Sequence, residues 1–97
     1  GLTFKENCSD IRNSKVIELV NLIKEIGINF ASYDPLVIHE EVKNLNLNLI
    51  QKSELDFGEY HSIILAVPHA EFVNLEIPEG MMIFDLKNFL GNYELTL

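Results

Sequence analysis

Residues 62–68 read Ser-Ile-Ile-Leu-Ala-Val-Pro, a nearly continuous apolar run that ends at a proline. Such a run is typical of a strand in a parallel sheet, because helices cover both faces of that kind of sheet. Proline ends the strand because it lacks the N–H that a ladder of hydrogen bonds needs. The sequence therefore predicts a buried parallel strand over residues 62–67.

The segments around this strand alternate between helical and extended patterns. Residues 14–27 carry apolar side chains at helical spacing, with a capping serine at the start and a glycine at the end. We predict further strands over residues 1–4, 28–33, 47–50 and 81–84, a helix over 36–45 and a short helix over 69–73. Residues 53–59 are polar and predict either a loop or one helical turn. Because parallel strands need crossover connections, this alternation predicts an α/β fold, a Rossmann-like open parallel sheet of about five strands with flanking helices.

Length, charge and cysteine content limit the possible functions. The 97 residues have room for a single domain, residues 1–97. The net charge of −8 argues against nucleic acid and anionic membranes as partners, since both need a field of basic side chains. One phosphate ligand remains compatible, because a few well-placed cations suffice. No apolar run approaches the ~20 residues that span a bilayer, and the single cysteine, Cys8, favours a reducing, cytoplasmic location.

The loop after the first predicted strand, residues 5–14, is the candidate binding site. Ligands bind at this end of the strands in a doubly wound sheet. Lys5 and Arg12 lie there, beside the amino end of the predicted helix, so the two cations could receive a phosphate. The alternative is that Arg12 pairs with Asp10 or Glu6 and only stiffens the loop. The residues alone leave both interpretations open.

Other residues whose side chains could catalyse a reaction or bind a ligand give weaker evidence of such a role. Asp34 follows the second predicted strand, but no G-x-G-x-x-G follows the first, so we interpret Asp34-Pro35 as a turn or cap rather than a ribose-binding acid. Cys8 has no adjacent histidine as a base, so we expect no catalytic role for it. The three histidines lack metal-ligand spacing, which predicts no metal site. His69 follows a strand and could reach the ligand edge, although a structural hydrogen bond is the favoured interpretation.

Four motifs in order resemble those of nucleotide-sugar dehydrogenases. Residues 1–5 (GLTFK) and 10–14 (DIRNS) are similar to the family's G-x-x-F-K…D-x-R-x-S signature. Residues 33–35 (YDP) are similar to its Y-D-P, and residues 63–69 (IILAVPH) to its I-I-L-A-V-x-H. Residues 84–87 (FDLK) stand where the family has F-D-x-[RK]. The chain therefore resembles the C-terminal, UDP-binding domain of the UDP-glucose/GDP-mannose dehydrogenase family.

The wording of residues 4–8 (FKENC) and 69–72 (HAEF) is most like the branch that acts on UDP-N-acetylhexosamines in capsule and O-antigen (Vi-type) synthesis. The resemblance implies two successive oxidations of the sugar's C6 alcohol to a carboxylate with NAD. It also implies that NAD is bound mainly by an N-terminal domain and that a central region makes a homodimer contact. The catalytic cysteine of the family lies upstream of this domain, which implies that Cys8 is not that cysteine. The chain alone should then be inactive, with a UDP-sugar and the other domains of the same enzyme as its partners.

The resemblance also assigns roles to single residues. It implies that Phe4 and Lys5 face the uridine nucleotide, that Lys87 sits against the UDP moiety, and that Arg12 reaches toward the NAD phosphates across the domain cleft. Two positions depart from the pattern. Lys15 stands where many members have proline, and Leu86-Lys87 replaces a common Gly-Arg, so a point charge replaces a bidentate fork.

A second class of function stays open at this stage, a stand-alone doubly wound nucleotide-binding or signalling module. A phosphoacceptor receiver would need acidic residues after the first strand and an aspartate after the third. Gln51 and Lys52 follow the third predicted strand, which disfavours that version.

The first predicted strand is short for its place in the sheet. In the resembling family several apolar residues precede the G-x-x-F-K motif, and the first strand of a doubly wound sheet is normally central. Residues 1–4 span only ~13 Å, whereas a typical strand spans ~17–20 Å. We therefore expect a gap between residues 28–33 and residues 62–67, filled by solvent or by another molecule.

Overall fold

The computed structural model describes residues 1–12 and 14–86. The predicted UDP contact at Lys87 lies outside the described residues. Within them the chain is a small α/β unit with a parallel sheet and flanking helices. No described helix has the length and apolar character that crossing a bilayer requires.

Helix α1, Lys15–Ile26, has the two ends that its sequence predicts. The Ser14 hydroxyl accepts a hydrogen bond from the Val16 N–H at 3.3 Å and so caps the first turn. Gly27 adopts a left-handed φ of 86° and donates its N–H to carbonyl groups of the last turn. The buried side of α1 presents Val20 to the core. Core residues that pack together here are Leu2, Val20, Val37, Val42 and Leu47.

The sheet ladder has two strands, β1 (Ser62–Leu65) and β2 (Met82–Asp85), which are parallel. Ser62 pairs with Met82, and Leu65 pairs with Asp85. The buried end of β1 lies at Leu65, as the apolar run predicts, and β2 buries Ile83. Both predicted strands at these places are confirmed, although β1 is shorter than residues 62–67.

The predicted helix over residues 36–45 is shorter and divided. Helix α2 covers His39–Val42, and a 3₁₀ turn over Lys43–Leu45 follows it. Asn46 ends this segment in the left-handed conformation, with φ 53°. Further 3₁₀ turns lie at Lys52–Glu54, Phe57–Glu59 and Ala70–Asn74.

Residues 28–33 and 47–50, predicted as two strands, meet at one parallel bridge between Ser32 and Leu49. The Ser32 N–H donates to Asn48 O at 3.1 Å, and the Ile50 N–H donates to Ser32 O at 2.9 Å. Asn48 has a left-handed φ of 50°, which an extended strand cannot continue through. The described residues therefore contain a two-stranded ladder and one bridge in place of the predicted sheet of about five strands.

Residues 1–4 do not form the predicted first strand. The Leu2 N–H donates to Asp34 Oδ2 at 2.7 Å instead of to a neighbouring strand. Gly1 lies so close to Val67 that a Cβ at this position would collide with the Val67 carbonyl oxygen. A bond to a side chain thus takes the place of strand pairing at the start of the chain.

A groove of about 430 Å³ lies beside Gly1. Residues 28–33 and residues 62–66, the two segments between which a gap was expected, are among the residues that line it. None of the residues that line it carries a charged side chain.

Candidate functional site

A buried hydrogen-bond network connects the loop after residues 1–4 to His69 and Asp34. His69 and Thr3 are fully buried, and Asp34 is 2% exposed. His69 Nε2 lies 2.8 Å from Asp34 Oδ2 and 3.3 Å from Thr3 Oγ1, and the Asn7 N–H donates to His69 Nδ1 at 2.9 Å. Because Nδ1 accepts from a backbone N–H, the ring proton lies on Nε2, which donates to Asp34. A neutral His69 therefore connects the loop to Asp34.

Asp34 is the acceptor at the centre of this network. Its Oδ2 accepts from the Leu2 N–H and from His69, and its Oδ1 accepts from the Leu36 N–H at 2.8 Å. Burial alone would raise the pKa of Asp34, but the backbone bonds from Leu2 and Leu36 and the bond from His69 outweigh it, so this pKa lies below its usual value. The bond to Leu36 confirms the predicted turn-capping role. The same side chain also holds the start of the chain, which its position in the sequence does not reveal.

The loop that carries Phe4 and Lys5 is anchored by its backbone. The Phe4 N–H donates to Asp10 O at 2.6 Å and closes the loop, and Thr3 Oγ1 donates to Lys5 O at 2.9 Å. Asn7 adopts a left-handed φ of 58°, and its Oδ1 accepts from the Ala70 N–H at 2.9 Å. Phe4, at 56%, and Lys5 are both exposed. The loop therefore has a fixed backbone and side chains that are accessible to a ligand.

Arg12 forms an ion pair with Asp10, which is one of the two interpretations that the sequence left open. Its Nε and Nη2 each donate to an Asp10 carboxylate oxygen at 3.0 Å, and its backbone N–H donates to Asp10 Oδ1 at 2.9 Å. Hydrogen bonds from Arg12 lower the pKa of Asp10. The Arg12 side chain is 86% exposed, and exposed ion pairs add little stability. A phosphate can therefore take the place of Asp10 at modest cost.

The structure brings only some of the predicted site residues together. Phe4 and Arg12 line one shallow surface depression, and Lys15, at the first position of α1, lines it too. Lys5 is in the same loop but is not part of this depression. Sequence reasoning noted Lys15 only as a departure from the family pattern. Its place beside a helix amino end was the signal that could have added it to the site.

Sequence reasoning also missed the anchoring role of Asn7 and Thr3. Asn7 is one of the few residue types that readily take a left-handed conformation, which marks it as a candidate turn position. The Cys8 sulfur accepts the Asp10 N–H at 3.4 Å and thus takes part in the loop's own turn. Across residues 1–12 and 14–86 no group of three histidine, cysteine or acidic side chains is arranged to hold a metal ion.

Residues 1–92 match the UDP-binding domain of the UDP-glucose/GDP-mannose dehydrogenase family. The chain belongs to this family, and the resemblance seen in its motifs is confirmed. It is 35% identical to protein CapL of Staphylococcus aureus, over the whole of this chain and 24% of that protein.

Several other relatives carry enzyme names, and two of them are UDP-N-acetyl-D-glucosamine 6-dehydrogenases. The chain is 41% identical to the UDP-N-acetyl-D-glucosamine 6-dehydrogenase of Pseudomonas aeruginosa, over 77% of this chain and 18% of that enzyme. It is 40% identical to the enzyme of the same name from Salmonella typhi, over 74% of this chain and 17% of that enzyme. The chain thus spans about a quarter or less of the curated relatives it matches. No solved structure matches it.

Proposed function

We propose that this chain binds the UDP part of a UDP-sugar within an NAD-dependent UDP-sugar 6-dehydrogenase. The observation that carries the proposal is the anchored loop at residues 4–8, which belongs to a family domain described as UDP-binding. Its backbone is held at both ends while Phe4 and Lys5 remain accessible. A site prepared in this way loses little conformational entropy when a ligand binds.

Each exposed side chain of the loop matches one part of the nucleotide. The Lys5 ammonium can donate charge-assisted hydrogen bonds to the diphosphate. The Phe4 ring offers an apolar face on which a pyrimidine can stack. Arg12 and Lys15 place two more cations in the depression beside Phe4. We propose Lys87 as a further UDP contact, outside the described residues.

The full-length protein supplies the rest of the reaction. We propose that it oxidises the C6 alcohol of a UDP-N-acetylhexosamine to a carboxylate for a surface polysaccharide, in the cytoplasm and as a homodimer. Two similar enzymes that bear UDP-N-acetyl-D-glucosamine 6-dehydrogenase names support this proposal, as does the similarity to CapL over the whole chain. NAD, when bound, accepts the hydride, and we place it mainly on the N-terminal domain. The described residues offer it the Arg12 guanidinium, which fits a phosphate once Asp10 is exchanged.

Two further points complete the proposal. In the full-length enzyme this domain forms the Rossmann-like sheet of about five strands. Its similarity to dehydrogenases along nearly the whole chain argues against a stand-alone signalling module.

Titration of the ¹⁵N-labelled chain with UDP, UMP and uridine tests the binding site. UDP should move the amides of residues 4–8 at lower concentration than UMP, and UMP at lower concentration than uridine. Lys5→Gln should weaken UDP binding at least tenfold, since a charge-assisted hydrogen bond contributes roughly 1.5–3 kcal/mol. Lys52→Gln removes the same charge from an exposed lysine outside the loop and should leave the affinity unchanged. Shifts that spare residues 4–8 would refute the site.

A further inference from the structure

The imidazole of His69 is held in one place beside the candidate nucleotide site. The side chain is fully buried. The His69 N–H donates to Val67 O at 3.0 Å, and its carbonyl accepts from the Phe72 N–H at 3.0 Å. The Phe72 ring packs against the imidazole, with 5.4 Å between the ring centroids, and Nε2 lies 2.8 Å from Asp34 Oδ2. A side chain with this many contacts can fix the position of the groups that it binds.

Both ring nitrogens of His69 act on the loop that carries Lys5. Nδ1 accepts a hydrogen bond from the Asn7 N–H at 2.9 Å. Nε2 lies 3.3 Å from Thr3 Oγ1, and this hydroxyl donates to Lys5 O at 2.9 Å. The ring therefore fixes the carbonyl of Lys5 through a hydroxyl and the amide of Asn7 directly.

One protonation state of His69 satisfies all of these bonds. Nδ1 faces a backbone N–H, which can only donate, so this nitrogen carries no proton. The Thr3 hydroxyl uses its proton on Lys5 and can only accept from Nε2, as can the ionised Asp34. The network therefore requires a neutral ring with its proton on Nε2. A proton on Nδ1 would set two donors against each other at Asn7.

A second bond holds Asn7 to the same segment of chain. Its Oδ1 accepts from the N–H of Ala70, the residue after His69, at 2.9 Å. Asn7 adopts a left-handed φ of 58°, a conformation that asparagine takes more readily than most residues. Lys5 lies two residues before this turn and is exposed. The direction of the Lys5 side chain therefore depends on where the turn is held.

We propose that His69 is a positioning residue for the nucleotide, which sets the backbone at Lys5 so that the ammonium group meets the diphosphate. This inference rests on the proposed binding of UDP at residues 4–8. Phe4 is held differently, because its N–H donates to Asp10 O. His69 therefore acts on the contact with the phosphates more than on the contact with the base.

Two substitutions separate the two ring nitrogens. In His69→Asn the side-chain oxygen can take the place of Nδ1 and accept from Asn7, but the side chain is too short to reach Asp34. In His69→Gln the side-chain amide can donate to Asp34, but the Asn7 N–H loses its acceptor. His69→Gln should therefore weaken UDP binding about tenfold, whereas His69→Asn should weaken it by less than about threefold.

The ratio of the UDP and uridine affinities distinguishes positioning from a loss of stability. A smaller folded fraction weakens the binding of both ligands by the same factor. A displaced Lys5 weakens UDP binding and leaves the binding of uridine, which has no phosphate, nearly unchanged. In titrations of the ¹⁵N-labelled chain, at a temperature where circular dichroism shows the variants folded, this ratio should fall about tenfold in His69→Gln and stay within about threefold in His69→Asn.

A milder pair of substitutions tests the same loop where His69→Gln does not fold. Asn7→Gly allows the left-handed conformation but removes the bond to Ala70, and it should lower the UDP-to-uridine ratio about threefold. Asn46→Gly makes the same change at an exposed asparagine with a φ of 53° outside the loop. This control should leave the ratio unchanged.

The protonation state is measured without ligand. The ¹⁵N spectrum of the His69 ring in the unchanged chain should show a proton on Nε2 and none on Nδ1. Coupling across the hydrogen bond should connect Nδ1 to the Asn7 amide.

Three results would overturn the proposal. They are a proton on Nδ1, an equal UDP-to-uridine ratio in the two variants at position 69, and, where His69→Gln does not fold, an equal ratio in Asn7→Gly and Asn46→Gly. Each leaves the proposed function standing as long as UDP moves the amides of residues 4–8 and Lys5→Gln weakens its binding. If UDP moves none of these amides in the unchanged chain, the proposed function is wrong and the positioning role is wrong with it.

Discussion

Replacement of His69 by glutamine should destabilise the chain and release the loop at residues 4–8. Glutamine can still donate to Asp34 from the place of Nε2, but it leaves the Asn7 N–H without the acceptor that Nδ1 provides at 2.9 Å. A partly buried donor that loses its acceptor costs roughly 1–3 kcal/mol. With poorer packing of the smaller side chain against Phe72, whose ring centroid lies 5.4 Å from that of His69, we expect a loss of about 2–3 kcal/mol.

A loss of this size is a large part of the stability of a small domain. It corresponds to a fall in melting temperature of roughly 10–20 °C, at ~4–8 °C per kcal/mol. Urea unfolding followed by circular dichroism gives the free energy, and hydrogen exchange gives the local effect. The amides of residues 4–8 should exchange faster in the variant, whereas those of α1 should change only in proportion to global stability.

The control is His61→Gln, the same substitution at an exposed histidine, which should change stability by less than about 0.5 kcal/mol. If His69→Gln unfolds at the same urea concentration as the unchanged chain and protects residues 4–8 equally, the network does not hold the loop.

Two more predictions concern acid stability and catalysis. The pKa of Asp34 is lower in the folded chain than its ordinary value of 3.8, so its contribution to stability is present above about pH 4 and is lost as pH falls through the lower, folded value. Asp34→Asn should therefore be less stable at neutral pH and show a shallower loss of stability in urea unfolding between pH 5 and pH 2 than the unchanged chain; equal slopes would contradict the ionised role of Asp34. The purified chain with NAD and UDP-N-acetylglucosamine should produce no NADH fluorescence, because no dinucleotide-binding glycine motif is present in its sequence, and turnover by the chain alone would overturn this expectation.

The sequence predicted those helices and strands that depend on interactions between residues close together in the chain. Helix α1 begins beside Ser14 and ends beside Gly27 because a capping hydroxyl and a left-handed glycine act within one turn of the helix. The buried strand β1 follows from its apolar run. The family motifs could also be recognised from the sequence, because each is a contiguous stretch of the chain. The match of residues 1–92 to the family confirms the resemblance.

A left-handed residue explains why the strand predicted over residues 47–50 is too long. Residues 47–50 have the apolar content of a strand, but Asn48 turns into the left-handed region and leaves one bridge to Ser32. Asparagine is favoured in turns, but this preference does not predict which asparagine adopts the left-handed conformation. The choice depends on the neighbouring segment with which the backbone must bond.

The sequence by itself determined the family, the helix with its caps, the buried strand and the loop that begins at Lys5. Only the tertiary structure decided that Arg12 pairs with Asp10 and that His69 joins Asn7, 62 residues away, and Asp34, 35 residues away. The same holds for the groove, because residues 28–33 and residues 62–66, which both line it, are separated by more than twenty residues of chain. Periodicity and caps record interactions within a few residues, whereas a buried hydrogen bond between distant side chains exists only after the backbone has brought them together.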